Sequence, residues 1–319
     1  MIRRRKVSKR NDALLTATAV LASIIDSLGI DDYRCPRSNH IYSAKQKIVL
    51  LVLRQFVSLS YRDFCDMISS FTRICRTIGL KHVPHHTTLA KFSKTLDGGL
   101  LQKVISSFSV ACGHNVTVGI DGTGFSEMRI SAYFSKRKKD FGLPPEPDMR
   151  KGFSKATYAG DMDTKMILVC DIVDQHNHDV TRVPPVLAHL KRTGVDVEFV
   201  VADRGYDAEW VHRLVKDELG ATALIPPREC AKPSRGNKTP AMSGRNRNRM
   251  RRVLVRCTVE QLRYQMRSII ECINSMVKRK MGGCVSSRLD ETKRTKLMCR
   301  AIAHNMRRVL VLGCQDLFV

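Results

Sequence analysis

Two acidic residues close short apolar runs in this 319-residue chain. Asp121 ends VTVGID, just before Gly122-Thr123-Gly124, and Asp203 ends VEFVVAD, just before Arg204-Gly205-Tyr206-Asp207. Runs of this kind read as buried strands, and carboxylates at the ends of neighbouring buried strands share one edge of a sheet, where a site can form. Acids end strands commonly, so neither residue decides anything alone. The third element runs from Cys257 to Lys280 and reads as one long helix. Within it Tyr264, Arg267, Glu271 and Lys278 follow the spacing Y-x2-R-x3-E-x6-K, and steps of three, four and seven place them on one stripe. Leu262, Met266, Ile269, Ile273 and Met276 form a second, apolar stripe, which gives the helix one face for a core and one for a polar cleft. The alternative is a surface helix in which Arg267 and Glu271 are an ordinary i,i+4 pair. Four fixed residue types at fixed spacing arise by chance in fewer than about one chain in a hundred, which favours the cleft.

The elements that must position these residues follow from pattern. After VTVGID (116–121), strands are expected at 156–160 and 166–173, around a turn at Asp161 and Asp163. Then come a helix (180–192), a strand (197–203), a helix (207–219) closed by Gly220, and a strand (221–226) stopped by two prolines. This order predicts an α/β architecture over residues 111–319, with a final helix from Asp290 to Leu312. Residues 1–110 read as helical: Leu14–Leu28, Ser43–Phe56, Ser60–Ile68, and a helix capped by Thr87 with Leu89, Phe92 and Leu96 inward. Thr88, Lys91 and Lys94 face outward on the last of these. That arrangement fits either a helix-turn-helix-like DNA reader or a bundle with solvated lysines.

Fifty-five Lys and Arg against thirty Asp and Glu leave a net charge of +25, an excess that favours a polyanionic partner. Part of it lies in residues 227–256, where prolines and glycines alternate with cations that include Arg245, Arg247, Arg249, Arg251 and Arg252. The segment reads as an arm that folds onto phosphate, against an ordinary solvated loop. Eleven cysteines show no C-x-x-C pair and several sit in apolar runs, so reduced thiols in a cytoplasm are expected. The basic, then apolar, start mimics a signal peptide, but Asp26 follows the run and no small-residue cleavage site closes it. No apolar stretch reaches the length of a membrane span.

Asp121 in GIDGTGF, Asp203 in ADRGYD and the Tyr264-Arg267-Glu271-Lys278 spacing together resemble the bacterial and archaeal insertion-sequence transposases of the DDE class. QHNHD (175–179) resembles their N-x-H-D element, and YSAKQKIVLLVLRQFVSLSYRDF with PHHTTLAKF resembles their helical N-terminal region, so the likeness spans roughly residues 40–310. The larger members carry a substantial β-rich insertion before the Glu helix, whereas this chain has only the basic 227–256 segment.

The resemblance implies an RNase H-like mixed sheet flanked by helices, behind a helical DNA-binding region. It implies a transposase that cuts at terminal inverted repeats and joins 3′ ends to target DNA. The work would be done by a dimer or larger synaptic complex on the nucleoid of a prokaryotic cytoplasm. Asp121, Asp203 and Glu271 would hold two Mg²⁺ ions about 3.5–4 Å apart, Mn²⁺ being a substitute. Tyr264, Arg267 and Lys278 would bind phosphates flanking the scissile one, as could Arg204. A non-catalytic DNA-binding descendant and a structure-selective nuclease of the same fold are the alternatives.

Other residues carry chemistry less pointedly. His176, His178 and Asp179 have metal-like chemistry without further ligands nearby, and the resemblance implies that His178 and Asp179 shape the loop into the next helix. Trp210 could stack on an extruded base, or pack in the core. Asp161, Asp163, Asp171 and Asp207 are spare carboxylates, Asp207 being the best substitute for a member of the trio.

Overall fold

A computed structural model describes residues 9–33, 39–127, 140, 153–174, 177–228, 245–253 and 259–318, with the side chains of residues 9–12, 174, 247, 248 and 251 outside that description. His176 also lies outside the described residues. The chain divides into two compact units, Met1–Ala111 with Val277–Val319, and Cys112–Met276.

The first unit is helical: α1 (Lys9–Ser27), α2 (Ala44–Val57), α3 (Tyr61–Ser69), α4 (Thr72–Thr77), α5 (His86–Thr95), α6 (Gly98–Ser106) and, from the far end of the chain, α12 (Asp290–Leu312). Ser43 starts α2 with a capping box, its hydroxyl accepting from the Gln46 amide while the Gln46 side chain accepts from the Ser43 amide. The tail from Val277 is counted with these helices. The reason is burial: Leu297, Met298, Ala301, Ile302, Met306 and Val309 of α12 are closed in as it packs along α1, α2, α5 and α6. Helix α5 starts at His86, one residue before the expected cap, and Thr87 instead bonds the His85 ring at 2.8 Å. Leu89 and Leu96 are buried, Lys91 and Lys94 are exposed, and Thr88 is half-buried.

The second unit is built on a mixed sheet ordered β3-β2-β1-β4-β5, from β1 (Val116–Glu127), β2 (Phe153–Asp161), β3 (Ile167–Asp174), β4 (Val197–Ala202) and β5 (Thr222–Leu224). Strands β1, β2 and β3 form an antiparallel meander, and β4 and β5 continue it in parallel. Helices α7 (Val183–Arg192) and α8 (Glu209–Leu219) cover one face, where Val118 and Ile120 meet Val186, Leu187, Leu190, Val211 and Val215. The other face receives α11 (Ser268–Met281) through Ile270 and Ile273. Side chains would hold that helix off, and glycines let it in. A Cβ on Gly119 would stand 3.0 Å from Ile270, and one on Gly160 would stand 2.9 Å from Ile273. This is the mixed α/β, RNase H-like architecture.

Three expected elements come out differently. Strand β1 runs on to Glu127, because Gly122-Thr123-Gly124 pairs with Thr157-Ala156-Lys155 of β2 instead of turning. The expected long helix from Cys257 is broken: α10 (Val259–Gln265) ends before Met266 and Arg267, and α11 starts at Ser268. The break resets the helical phase. Ile270, Ile273 and Val277 are therefore the buried stripe, and Leu262 is 56% exposed. Lastly, Arg245–Val253 of the basic segment is a helix, α9, which buries Met250 and Val253 and is tied to α8 by the Asn246 amide on Glu209 at 2.9 Å.

Candidate active site

The parallel pairing of β1 with β4 sets the site. Gly119 stands beside Val201 and Ile120 beside Ala202, so the next residues in register, Asp121 and Asp203, stand side by side as β4 ends. Asp121 alternates with Ile120 and shares the α11 face with Gly119. One oxygen of its carboxylate accepts from the Gly122 amide at 2.9 Å, and the other from the Asn274 side chain at 2.7 Å. Asn274 is buried on α11, one turn past Glu271. Asp203 caps the short turn Arg204–Tyr206, accepting from the Gly205 amide at 2.7 Å. Burial, and then the charge of Asp203, push the Asp121 carboxyl up to about 6, with Asp179 and Glu271 adding to the rise. The Gly122 hydrogen bond opposes it only in part.

Glu271 lies on the same helix as Asn274, half-exposed, with Arg267 at 2.6 Å. Tyr264 is gathered toward Asp203 with Arg267 and Arg204. Burial and Asp203 raise its hydroxyl pKa, while the two arginines and a hydrogen bond to Arg267 lower it. Lys278 follows Glu271 by two turns of α11.

The family model described as "Transposase DDE domain" matches residues 120–306, more than half of the chain. The chain belongs to the DDE transposase family. Among curated proteins none matches its sequence. Among solved structures it is similar to a piggyBac transposase in a synaptic complex with hairpin DNA, by cryo-EM, at 12% identity and a TM-score of 0.44, over 97% of this chain and 78% of that one.

In this DDE transposase three of the spare carboxylates of the sequence, Asp161, Asp171 and Asp207, have structural duties. Asp161 accepts from the Asp163 and Thr164 amides and closes the β2–β3 turn. Asp171 holds Arg182 with two hydrogen bonds, at 2.6 and 3.0 Å. Asp207 is buried and accepts from the Arg228 amide at 2.8 Å, while the Arg228 guanidinium bonds the Arg204 carbonyl at 2.9 Å. It braces the turn after Asp203 from behind. Trp210 does not pack in the core and is 43% exposed on α8.

Three residues of the site were missed or undervalued in the sequence. Asn274 is one. Asp179, expected to shape a loop, lies over Gly122 and is ion-paired to Lys155 at 2.5 Å. Lys155 also bonds the Asn177 carbonyl at 3.1 Å, which fixes the pair. Tyr206 is buried, and its pKa is raised by burial and by the charges of Asp179, Asp121 and Asp203. Its hydroxyl has no hydrogen-bond partner among the described residues.

The donor set suits a divalent cation. Asp121 and Asp203 offer hard oxygens, and burial together with the neighbouring Asp203 charge raises the Asp121 pKa, an arrangement that a bound cation would relieve. The third donor is not in place. Among the described residues no three His, Cys, Asp or Glu side chains converge closely enough to hold an ion, and Glu271 is turned to Arg267.

Proposed function

We propose that the chain is a DNA transposase that cuts at the terminal inverted repeats of its insertion sequence and joins the 3′ ends to target DNA. The observation that carries this reading is Asp121 and Asp203 side by side at the end of the β1–β4 pairing, beneath the helix that bears Glu271 and Asn274. Tyr264, Arg267, Glu271 and Lys278 are read as the family's Y-R-E-K signature, although a break between α10 and α11 separates the tyrosine from the rest.

Asp121 and Asp203, with Glu271 once it leaves Arg267, would hold Mg²⁺, or Mn²⁺ in its place. Ions there would supply a deprotonated nucleophile and stabilise the leaving oxygen of an in-line phosphoryl displacement. The chain's own residues do the rest. Asn274 and the Gly122 amide fix the Asp121 carboxylate, and the Gly205 amide fixes Asp203. Arg204, Arg267 and Tyr264 provide donors beside Asp203 for the phosphates that flank the scissile bond. Entry of a phosphate gives Arg267 a competing anion and frees Glu271.

Recognition of the ends is assigned to the exposed Lys91 and Lys94 of α5, with Thr88 at the edge of that face. Two ends must be held at once, so the working form is a dimer or larger. None of the described helices is long and apolar enough to cross a membrane, and the nucleoid of a prokaryotic cytoplasm is the expected place of action. Incubating the protein with Mg²⁺, a duplex carrying its element's ends and a target plasmid tests the reading. Joined products support it, and cleavage without joining would make the protein a nuclease of the same fold.

A further inference from the structure

A second basic feature lies away from the acids. Helices α8 and α9 flank an open cleft of about 570 Å³, whose floor is the start of β5. Arg213 and Lys216 of α8 line it with Arg245 and Arg249 of α9, and Asp217 is the acid among these lining residues. Arg249 is already paired with Glu260. The side chains of Arg213, Lys216 and Arg245 are exposed and have no hydrogen-bond or ion-pair partner among the described residues. Further along α8, Glu218 meets Lys191 at 3.0 Å. Cations from two helices, outnumbering the one acid that lines the cleft with them, are a standing electrostatic cost unless an anion visits.

The register places this cleft. Thr222 at its floor pairs with Phe199, four residues before Asp203, so the floor lies about 13 Å back along the strand direction from the acids. It is therefore not part of the carboxylate site.

We propose that the α8–α9 cleft is a sequence-independent contact for the phosphate backbone of duplex DNA, outside the segment being cut. This rests on the transposase reading. Three features select an extended polyanion. The cleft is half-open to solvent, whereas a small-molecule site buries most of its ligand's surface. Its lining holds no Phe, Tyr or Trp ring on which a base could stack, and its one imidazole, His212, is buried. Its cations sit on long side chains that track phosphates without reading base edges. The Asn246–Glu209 bond to α8, with Met250 and Val253 of α9 buried, gives the basic segment a fixed place from which to do this.

The test is binding of the full chain to a short random-sequence duplex, in EDTA to prevent cutting, across a salt series. The Arg213→Ala/Lys216→Ala variant changes two exposed positions and spares α9, so it should fold, with an unchanged melting temperature as the check. Losing two phosphate contacts should lower the log–log salt slope by about 1.8 and weaken binding at low salt at least about fivefold. Asp217→Asn should shift affinity the other way, and Arg213→Lys/Lys216→Arg should restore the slope. An unchanged slope and affinity in the double Ala variant, or a loss confined to one DNA sequence, or tighter binding to RNA than to the duplex, would overturn the proposal. The two readings separate cleanly. A wild-type chain that binds no duplex sinks the transposase reading itself, whereas normal wild-type binding with an unaffected variant sinks only the cleft.

Discussion

The Asn274 side chain donates to the Asp121 carboxylate at 2.7 Å, across 153 residues of sequence. That bond links the helix of the third acid to the strand of the first. Because Asn274 follows Glu271 by one turn, whatever seats Asn274 against Asp121 also sets where Glu271 can reach.

Asn274→Ala should leave Asp121 free to rotate, raise the Mg²⁺ concentration needed for half-maximal cleavage about 10- to 100-fold, and cost about 1–3 kcal/mol of stability. Asn274→Asp should be worse for metal-free stability, since it adds a carboxylate to a site already crowded with them, and Mg²⁺ should recover part of that loss. Metal titrations of cleavage and of thermal unfolding check both. An unchanged metal requirement in Asn274→Ala would leave the residue a purely structural part of the core.

The raised pKa of Asp121, pushed up to about 6, gives a pH signature. The folded protein holds this proton more tightly than the unfolded chain. The penalty is therefore absent below about pH 4, grows as pH rises, and is complete above about pH 6. Asp121→Asn should accordingly raise stability by about 1–2 kcal/mol at pH 8 in EDTA, and leave it unchanged or lower at pH 4. Melting curves at the two pH values decide the sign, and an equal effect at both would remove the electrostatic account.

Arg267 and Glu271 form a partly exposed i,i+4 pair, and such pairs are worth little to the fold. Arg267→Ala should change stability by no more than about 0.5 kcal/mol and still reduce strand cleavage by about tenfold or more. A catalytic loss no larger than the stability loss would return the pair to ordinary surface status.

Gly160 lets α11 sit on the sheet, its absent side chain being replaced by Ile273. Gly160→Val should lift the helix, destabilise the protein by about 1–3 kcal/mol, and lower cleavage beyond what the unfolded fraction explains. Activity per folded molecule, taken from cleavage and circular dichroism at one temperature, measures this. Full specific activity would mean that the helix need not lie so close.

Much of this was legible in sequence, for identifiable reasons. VTVGID and VEFVVAD were readable as strands ending in acids because burial on both sheet faces demands unbroken apolar runs. The extension of β1 was hidden because Gly122 and Gly124 look like a turn, and only pairing with β2 keeps them extended. Nothing local announced the break at Met266–Arg267, which has neither Gly nor Pro. Asn274 is a polar residue among Ile270, Ile273 and Val277 on one helix face, but the sequence pattern reads the helix as unbroken, which puts that face in the wrong phase. Asp179 and Tyr206 reach the site only through the fold that brings the turns after β3 and β4 together.

The most direct measurement is cleavage of a duplex carrying the element's ends by Asp121→Asn, Asp203→Asn and Glu271→Gln, each compared with wild type in Mg²⁺, with DNA binding measured in parallel. Each substitution removes one anionic oxygen ligand with little change in shape. The account predicts that all three abolish cleavage and leave binding within about twofold, an affinity change under roughly 0.5 kcal/mol. Near-wild-type cleavage by any one of them would contradict the assignment of that residue. If it were Glu271→Gln, the ion pair with Arg267 would be its whole role.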